Sequence, residues 1–156
     1  MTRLLPGVVT VLGLAFAALV APPVPATAAP EGRAGAAPAL TVTARYALLG
    51  DSPERAVLIG RYTCGPYPGG VAERGVVDLG LRQDVAGTVV DAFGYLEPAV
   101  CTGQPQQYAV ELVSYSGPLV AGAASWSASG YVEGPGGAQS VYVPPTPIRI
   151  RSAALG

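Results

Sequence analysis

The sequence predicts an all-β protein, built as an antiparallel β-sandwich of about seven to eight strands. Two observations lead to this prediction. From residue 39 onward, short runs of β-branched and aromatic residues are separated by clusters of Gly, Pro, Asp and Ser, a spacing typical of sandwiches and barrels. Along these runs apolar and polar residues alternate, as they do in antiparallel strands with one face toward water. No stretch in this part of the chain holds a helical period.

Seven segments fit the strand pattern, and the third shows it most clearly. Val77, Leu79 and Leu81 fall on one of its faces, whereas Asp78 and Arg82 fall on the other. The last segment contains three prolines, which cannot donate ladder hydrogen bonds, so we expect an edge strand or two short strands joined by a bend. Seven or eight strands in roughly 115 residues match the size of an immunoglobulin-like domain. The segments are residues 40–49, 56–64, 75–85, 87–97, 107–115, 122–132 and 140–152.

The N-terminal residues predict export from the cell. Arg3 precedes an apolar run at residues 8–20, and prolines then lead to the small residues at 26–28, a pattern typical of a signal peptide spanning residues 1–28. A transmembrane anchor is the alternative, but the apolar run is shorter than the roughly 20 residues that a bilayer requires. We expect a flexible leader at 29–38 and the sandwich domain at 39–153. The expected location is extracellular, or loosely at the cell wall, with no membrane attachment after cleavage.

The composition excludes several kinds of chemistry. The chain has no His, Lys or Asn, and its net charge is −1. Catalytic triads, Cys–His pairs and lysine Schiff bases therefore have no residues to form them. The arginines are scattered, so no nucleic-acid footprint is expected. We predict no enzyme activity, no metal and no cofactor.

Paired carboxylates remain possible as catalytic groups. A carboxylate-dependent hydrolase or a calcium site at Asp84 and Asp91 is conceivable, although charges at alternate strand positions more often face solvent. The glycine-rich stretches at 65–70 and 134–137 match no phosphate-binding pattern and are predicted as turns. The carboxylates on or between the predicted strands are Asp78, Asp84, Asp91, Glu97 and Glu111.

Cys64 and Cys101 are the two cysteines of the chain. In an exported protein a pair of cysteines usually forms a disulfide. A reactive thiol is the alternative, but it needs a basic neighbour to lower its pKa, and only Arg61 is close in sequence. We expect a disulfide that stabilises the fold by roughly 3–4 kcal/mol in the chain-entropy treatment.

Four motifs carry a resemblance to a known group of proteins. They are "GRYTC" at 60–64, "LRQDVAG" at 81–87, "VCTGQPQQYAVEL" at 100–112 and "GPLVAGAASWSA" at 117–128. Together they resemble small exported actinobacterial domains of unknown function, with a G-x-Y-x-C strand, a C-x-G turn and a G-x-A segment. The resemblance implies an immunoglobulin-like sandwich with a Cys64–Cys101 bridge. Tyr108 stands where Trp is expected, and the group supplies no functional residues.

The remaining role is binding, through loops held at one end of the sandwich. Tyr67, between two prolines, is the main candidate contact, and Gln104 and Gln106 lie in the loop after Cys101. Tyr67 folding back over the core is the alternative. We predict a non-catalytic binding or structural module whose partner is a protein, glycan or small molecule. A carrier or inhibitor with an apolar cleft of several hundred Å³ is the second hypothesis, and a hydrolase with carboxylates roughly 5–10 Å apart is the third.

Overall fold

A computed structural model describes residues 39–152. The predicted signal peptide (1–28) and leader (29–38) lie outside the described residues. Within residues 39–152 the predicted all-β class is confirmed, with seven strands and one short 3-10 turn at Pro68–Gly70. None of these residues forms a helix long and apolar enough to cross a membrane.

The seven strands lie where the alternation predicts them, with ends that differ by up to three residues. The last strand is continuous through its prolines, with a register irregularity against β6, rather than dividing in two. It pairs with β1 only at Ile150 and Arg151, so its prolines lie where β7 has no second partner strand. The strands are β1 (Thr41–Leu49), β2 (Arg55–Thr63), β3 (Arg74–Val85), β4 (Thr88–Leu96), β5 (Gln106–Ser114), β6 (Gly122–Gly134) and β7 (Gly137–Arg151).

Hydrogen bonding joins the strands into one closed ring in the order β1-β2-β5-β4-β3-β6-β7. All neighbours are antiparallel except β1 and β7, which are parallel. Two joints in the ring are short. β4 meets β5 through two residue pairs, and β1 meets β7 through two, whereas every other pair of neighbours shares eight or more. The strands thus form a closed barrel with two weak seams.

The core lies inside the ring and is filled by the inward residues of each strand. Leu58, Leu79 and Leu112 are fully buried there, as alternate positions of strands with one inner face should be. The predicted inward and outward faces of β3 are confirmed, because Val77, Leu79 and Leu81 are buried while Asp78 and Arg82 are exposed.

The predicted disulfide between Cys64 and Cys101 is confirmed. It joins the end of β2 to the connection between β4 and β5, and both cysteines are completely buried. Backbone hydrogen bonds reinforce the joint, from Gly103 N to Cys64 O at 2.9 Å and from Tyr67 N to Cys101 O at 3.0 Å. The loops after the two cysteines are therefore held side by side.

Candidate functional site

Tyr67 is buried, in agreement with the alternative in which it folds back over the core and not with an exposed contact. Its side chain is 4% exposed, and its hydroxyl lies 3.0 Å from the Gly137 carbonyl oxygen and 3.3 Å from that of Val132. The ring packs on Gly134, where an added Cβ would come within 2.6 Å of it. Burial, together with the nearby Glu133 carboxylate, raises the pKa of Tyr67. This ring covers the core, and it offers no surface to a ligand.

The two glutamines of the predicted loop lie at the turn that leads from Cys101 into β5. Gln104 is exposed, and Gln106 begins β5 opposite Tyr62 of β2. The Gln106 side-chain amide donates to the backbone oxygen of Gln104 at 3.4 Å. This hydrogen bond lies within the turn. Tyr67, the aromatic residue of the neighbouring loop, is buried and presents no exposed ring beside the glutamines.

A different surface brings exposed aromatic and hydroxyl groups together. The outward residues of four adjacent strands, β4, β3, β6 and β7, line two adjoining depressions of about 190 and 290 Å³. The depressions share several lining residues, so they form one continuous feature, which we call the trough. Its floor is formed by Gly80, Ser125, Ser127 and Ser129, and its walls by Phe93, Tyr142 and Pro145.

The strand register explains why these residues lie together. Phe93 pairs with Gly80, and Gly80 pairs with Ser127, so one row across the face runs from an aromatic ring over a glycine to a hydroxyl. Ser129 pairs with Tyr142 in the next row, which begins at Asp78 and Tyr95. Residues two apart on a strand point to the same side, and these rows therefore share the outer face.

Gly80 gives the floor its depth. A Cβ at this position would lie 2.8 Å from the Ser127 hydroxyl oxygen and 4.0 Å from Cε1 of Phe93. The space between the serine and the aromatic ring is therefore open because residue 80 has no side chain.

The wall on β7 depends on the prolines. The β6–β7 register shifts between Trp126 and Ala128, and the residue between them, Ser127, faces the Pro144–Pro145 segment. A bulge of this kind places an extra residue in one strand and redirects its side chains. Pro145 consequently lines both depressions beside Tyr142.

An ion pair closes one end of the trough. Arg82 Nε donates to Asp91 Oδ1 at 2.7 Å, and Nη2 donates to Oδ2 at 3.2 Å. A bidentate pair of this geometry fixes both side chains. Asp78 lies at the other end and takes part in none of the ion pairs formed within residues 39–152.

Among the described residues no group of three or more His, Cys, Asp and Glu side chains is placed to hold a metal ion. Asp84 accepts a hydrogen bond from Gly87 N at 2.7 Å in the β3–β4 turn, and Asp91 is paired with Arg82. The trough carboxylates, Asp78 and Asp91, belong to rows four β3 residues apart, a separation of about 13 Å at the usual strand rise. That exceeds the spacing that a two-carboxylate hydrolase needs.

The sequence predicts which residues share a face of each trough strand, but it does not predict that these strands lie side by side. Alternation accounts for Ser125, Ser127 and Ser129 on the outer face of β6 and for Phe93 on the outer face of β4. Their proximity follows from the pairing of β3 with both β4 and β6, which alternation does not specify. Comparison of the chain with protein-family models and with curated proteins gives no match.

Proposed function

We propose that this protein is a secreted, non-catalytic binding module that holds its ligand in the trough. The observation that supports this proposal most directly is the clustering of exposed aromatic rings beside hydroxyls without partners. Phe93 is 54% exposed and Tyr142 is 76% exposed, although large apolar side chains are normally withdrawn from water. Exposed aromatic residues gathered around one depression are typical of binding surfaces.

The serine hydroxyls give the same indication. None of the Ser125, Ser127 and Ser129 hydroxyls has a hydrogen-bond partner within residues 39–152. Other serines do find partners in the protein: Ser114 Oγ donates to Gly117 O at 2.7 Å, and Ser116 Oγ accepts from Asp91 N at 2.8 Å. The trough hydroxyls thus keep their capacity to donate and accept toward a ligand.

The proposed architecture is an immunoglobulin-like sandwich of the kind that the actinobacterial resemblance implies. With the strands lettered A to G in chain order, the ring order β1-β2-β5-β4-β3-β6-β7 contains the A-B-E and C-F-G neighbours of an immunoglobulin sandwich, but β4, the fourth strand, pairs mainly with β3 rather than with β5. The two short joints, β4–β5 and β1–β7, divide the ring into β1-β2-β5 and β4-β3-β6-β7. The trough would then occupy the outer face of the larger sheet.

Export fits the same proposal. A buried disulfide is characteristic of proteins that fold outside the reducing cytosol, and Cys64 and Cys101 are bonded. The signal-peptide pattern at residues 1–28 supplies the route.

The carrier hypothesis has less support than an open binding face. The depressions described above are surface features lined by serines and an ion pair as well as by apolar groups. A carrier of an apolar molecule would have to enclose it away from water, and the inward side chains instead fill the ring.

Trp126 provides the test. It is the single tryptophan of the chain, is 5% exposed and lines the trough. A panel of neutral oligosaccharides, an acidic polysaccharide and a proline-rich peptide is titrated while Trp126 emission is followed. At least one member should change the emission of the wild type and of Tyr115→Ala, and have a much weaker effect on Tyr142→Ala.

Tyr115 is the matched control because it is 85% exposed and lies outside the trough. Neither exposed tyrosine contributes to the core, so both variants should fold. No response from any member of the panel, or equal responses from the two variants, would contradict the proposed function.

A further inference from the structure

The backbone of the trough floor is unavailable to a ligand. β3 is paired on both sides, with β4 and β6, and β6 is paired on both sides, with β3 and β7. The amide and carbonyl groups of these strands are therefore used in the ladders, and an extended peptide cannot add to the floor as a further strand. Recognition at the floor must come from side chains.

The side chains on the floor form a regular column of hydroxyls. Ser125, Ser127 and Ser129 occupy alternate positions of β6, so their hydroxyls repeat at intervals of roughly 6.8 Å along the strand. A hydroxyl donates one hydrogen bond and accepts others. A column of such groups matches a ligand that also presents hydroxyls at repeated intervals, since each group can act as donor or acceptor as its partner requires.

The walls supply the apolar half of the recognition. Phe93 stands on β4 and Tyr142 on β7, and these strands are three strand spacings apart, roughly 14 Å between backbones. Sugar rings with equatorial hydroxyls have flat C–H faces and polar edges, so they can place the faces on aromatic rings and the edges on serines.

The charges of the trough select against acidic ligands. The Arg82 guanidinium is neutralised by Asp91 in a bidentate pair, which leaves Asp78 as the unpaired charge of the lining. A free carboxylate and no free cation in the trough repel phosphate, sulfate and uronate groups. A ligand without negative charge meets no such cost.

From these contacts, and resting on the proposed function, we infer that the trough binds a neutral glycan chain along β3 and β6. Phe93 and Tyr142 stack on sugar rings, and the three serines bond to ring hydroxyls. The Arg82–Asp91 pair closes one end of the trough and presents polar edges to the sugar nearest to it. Asp78 lies at the opposite end, where it accepts hydrogen bonds from sugar hydroxyls.

The closing experiment compares four probes on the intact protein: cellohexaose, chitohexaose, polygalacturonate and a proline-rich decapeptide. Binding is followed by Trp126 emission and checked by calorimetry. We expect saturable binding of at least one neutral hexasaccharide and none of polygalacturonate. Tyr142→Ala should lower the affinity for the hexasaccharide about tenfold, the loss expected for one aromatic anchor. Tyr115→Ala should leave this affinity unchanged.

Serine variants test the polar half of the inference. Ser127→Ala removes the central hydroxyl of the column. It should lower the affinity for the hexasaccharide about fivefold, which corresponds to the loss of one hydrogen bond. Ser140→Ala is the matched control, because Ser140 is an exposed serine of β7 that lines neither depression. Equal losses in the two serine variants would overturn the assigned role of the serine column.

The outcomes separate the glycan inference from the proposed function. Tyr142-dependent binding of the decapeptide or of polygalacturonate, without binding of either hexasaccharide, would overturn the glycan inference and leave the trough as the binding site. Binding of a hexasaccharide that is indifferent to Tyr142→Ala would overturn both. A lack of response to all four probes in both methods would also overturn both.

Discussion

Burial of Tyr108 makes the stability of the fold depend on pH in the alkaline range. Its ring, 6% exposed, reaches from β5 across Gly60 of β2, and its hydroxyl donates to the Thr43 oxygen of β1 at 3.1 Å. Burial raises the pKa of Tyr108 well above its usual value. The folded state therefore holds the phenol proton more tightly than the unfolded chain, where the ordinary tyrosine value of about 10 applies.

This shift predicts the pH range in which stability is lost. Below about pH 10 the phenol is protonated in both states and the stabilisation is fully present. Above that value the unfolded chain releases the proton first, so the free energy of unfolding should fall by up to about 1.4 kcal/mol per pH unit for this group. Tyr67 adds a contribution of the same sign. Urea unfolding between pH 8 and 11 measures the slope.

Tyr108→Phe should reduce that alkaline slope, since it removes the titrating group and keeps the ring. Tyr115→Phe is the control, because this side chain is exposed in the folded protein. Identical slopes in wild type and Tyr108→Phe would show that the buried phenol does not govern the alkaline loss.

Single residues also mark the limit of prediction from sequence. Leu58, Tyr62 and Trp126 lie at alternate positions of their strands, and all three are buried, as alternation alone would place them. Tyr67 lies in a loop, where no period applies, and its burial depends on glycines of the β6–β7 turn that are distant in sequence. Tyr142 points outward because it pairs with Ser129, a residue of the outer face of β6, and this pairing is not visible in the sequence.

At the scale of elements, the close approach of β1, β2 and β5 depends on Gly60. A Cβ at this position would meet the Thr43 oxygen at 2.0 Å and the Tyr108 hydroxyl oxygen at 2.6 Å. The first of these atoms is backbone, so the strands would have to move apart, and overpacking of this kind costs about 1–3 kcal/mol. Gly60→Ala should therefore lower the free energy of unfolding by about 2 kcal/mol or more, measured by urea denaturation.

Gly80→Ala is the matched control for this prediction. Gly80 also lies within a central strand, but its added Cβ would meet only the Ser127 hydroxyl, which can rotate away. We expect a change within about 0.5 kcal/mol together with weaker ligand binding, because the trough becomes shallower. Equal destabilisation by the two substitutions would mean that replacing any strand glycine lowers the free energy of unfolding, and that the close approach of the strands at Gly60 is not the cause.

The strands themselves were predictable, whereas their arrangement was not. Alternation is a local property and it locates β3 and β6 as separate segments. The pairing of β3 with β6, and of β2 with β5, joins segments that are distant in sequence, and it depends on which inner faces fill the core together. Both the closed ring of strands and the trough result from these long-range pairings.

At the scale of the whole molecule, the disulfide compensates for one weak seam. β4 and β5 share two residue pairs, and the connection between them, residues 97–105, is held to β2 through Cys101 and Cys64. The bridge spans 37 residues of sequence. Closing a loop of that length restricts the unfolded chain and stabilises the fold by about 4 kcal/mol in the chain-entropy treatment.

The double variant Cys64→Ala/Cys101→Ala should therefore lose about 3–4 kcal/mol of unfolding free energy, seen as a lower urea midpoint. Reduced wild type should show the same loss, which serves as the control for the cavity left by the alanines. Neither cysteine lines the trough, so the variant should keep its Tyr142-dependent binding at low urea. An unchanged midpoint would show that backbone hydrogen bonds alone, such as Gly103 N to Cys64 O, hold the two loops together. Loss of binding in the folded variant would instead show that the bridge positions the trough across the ring.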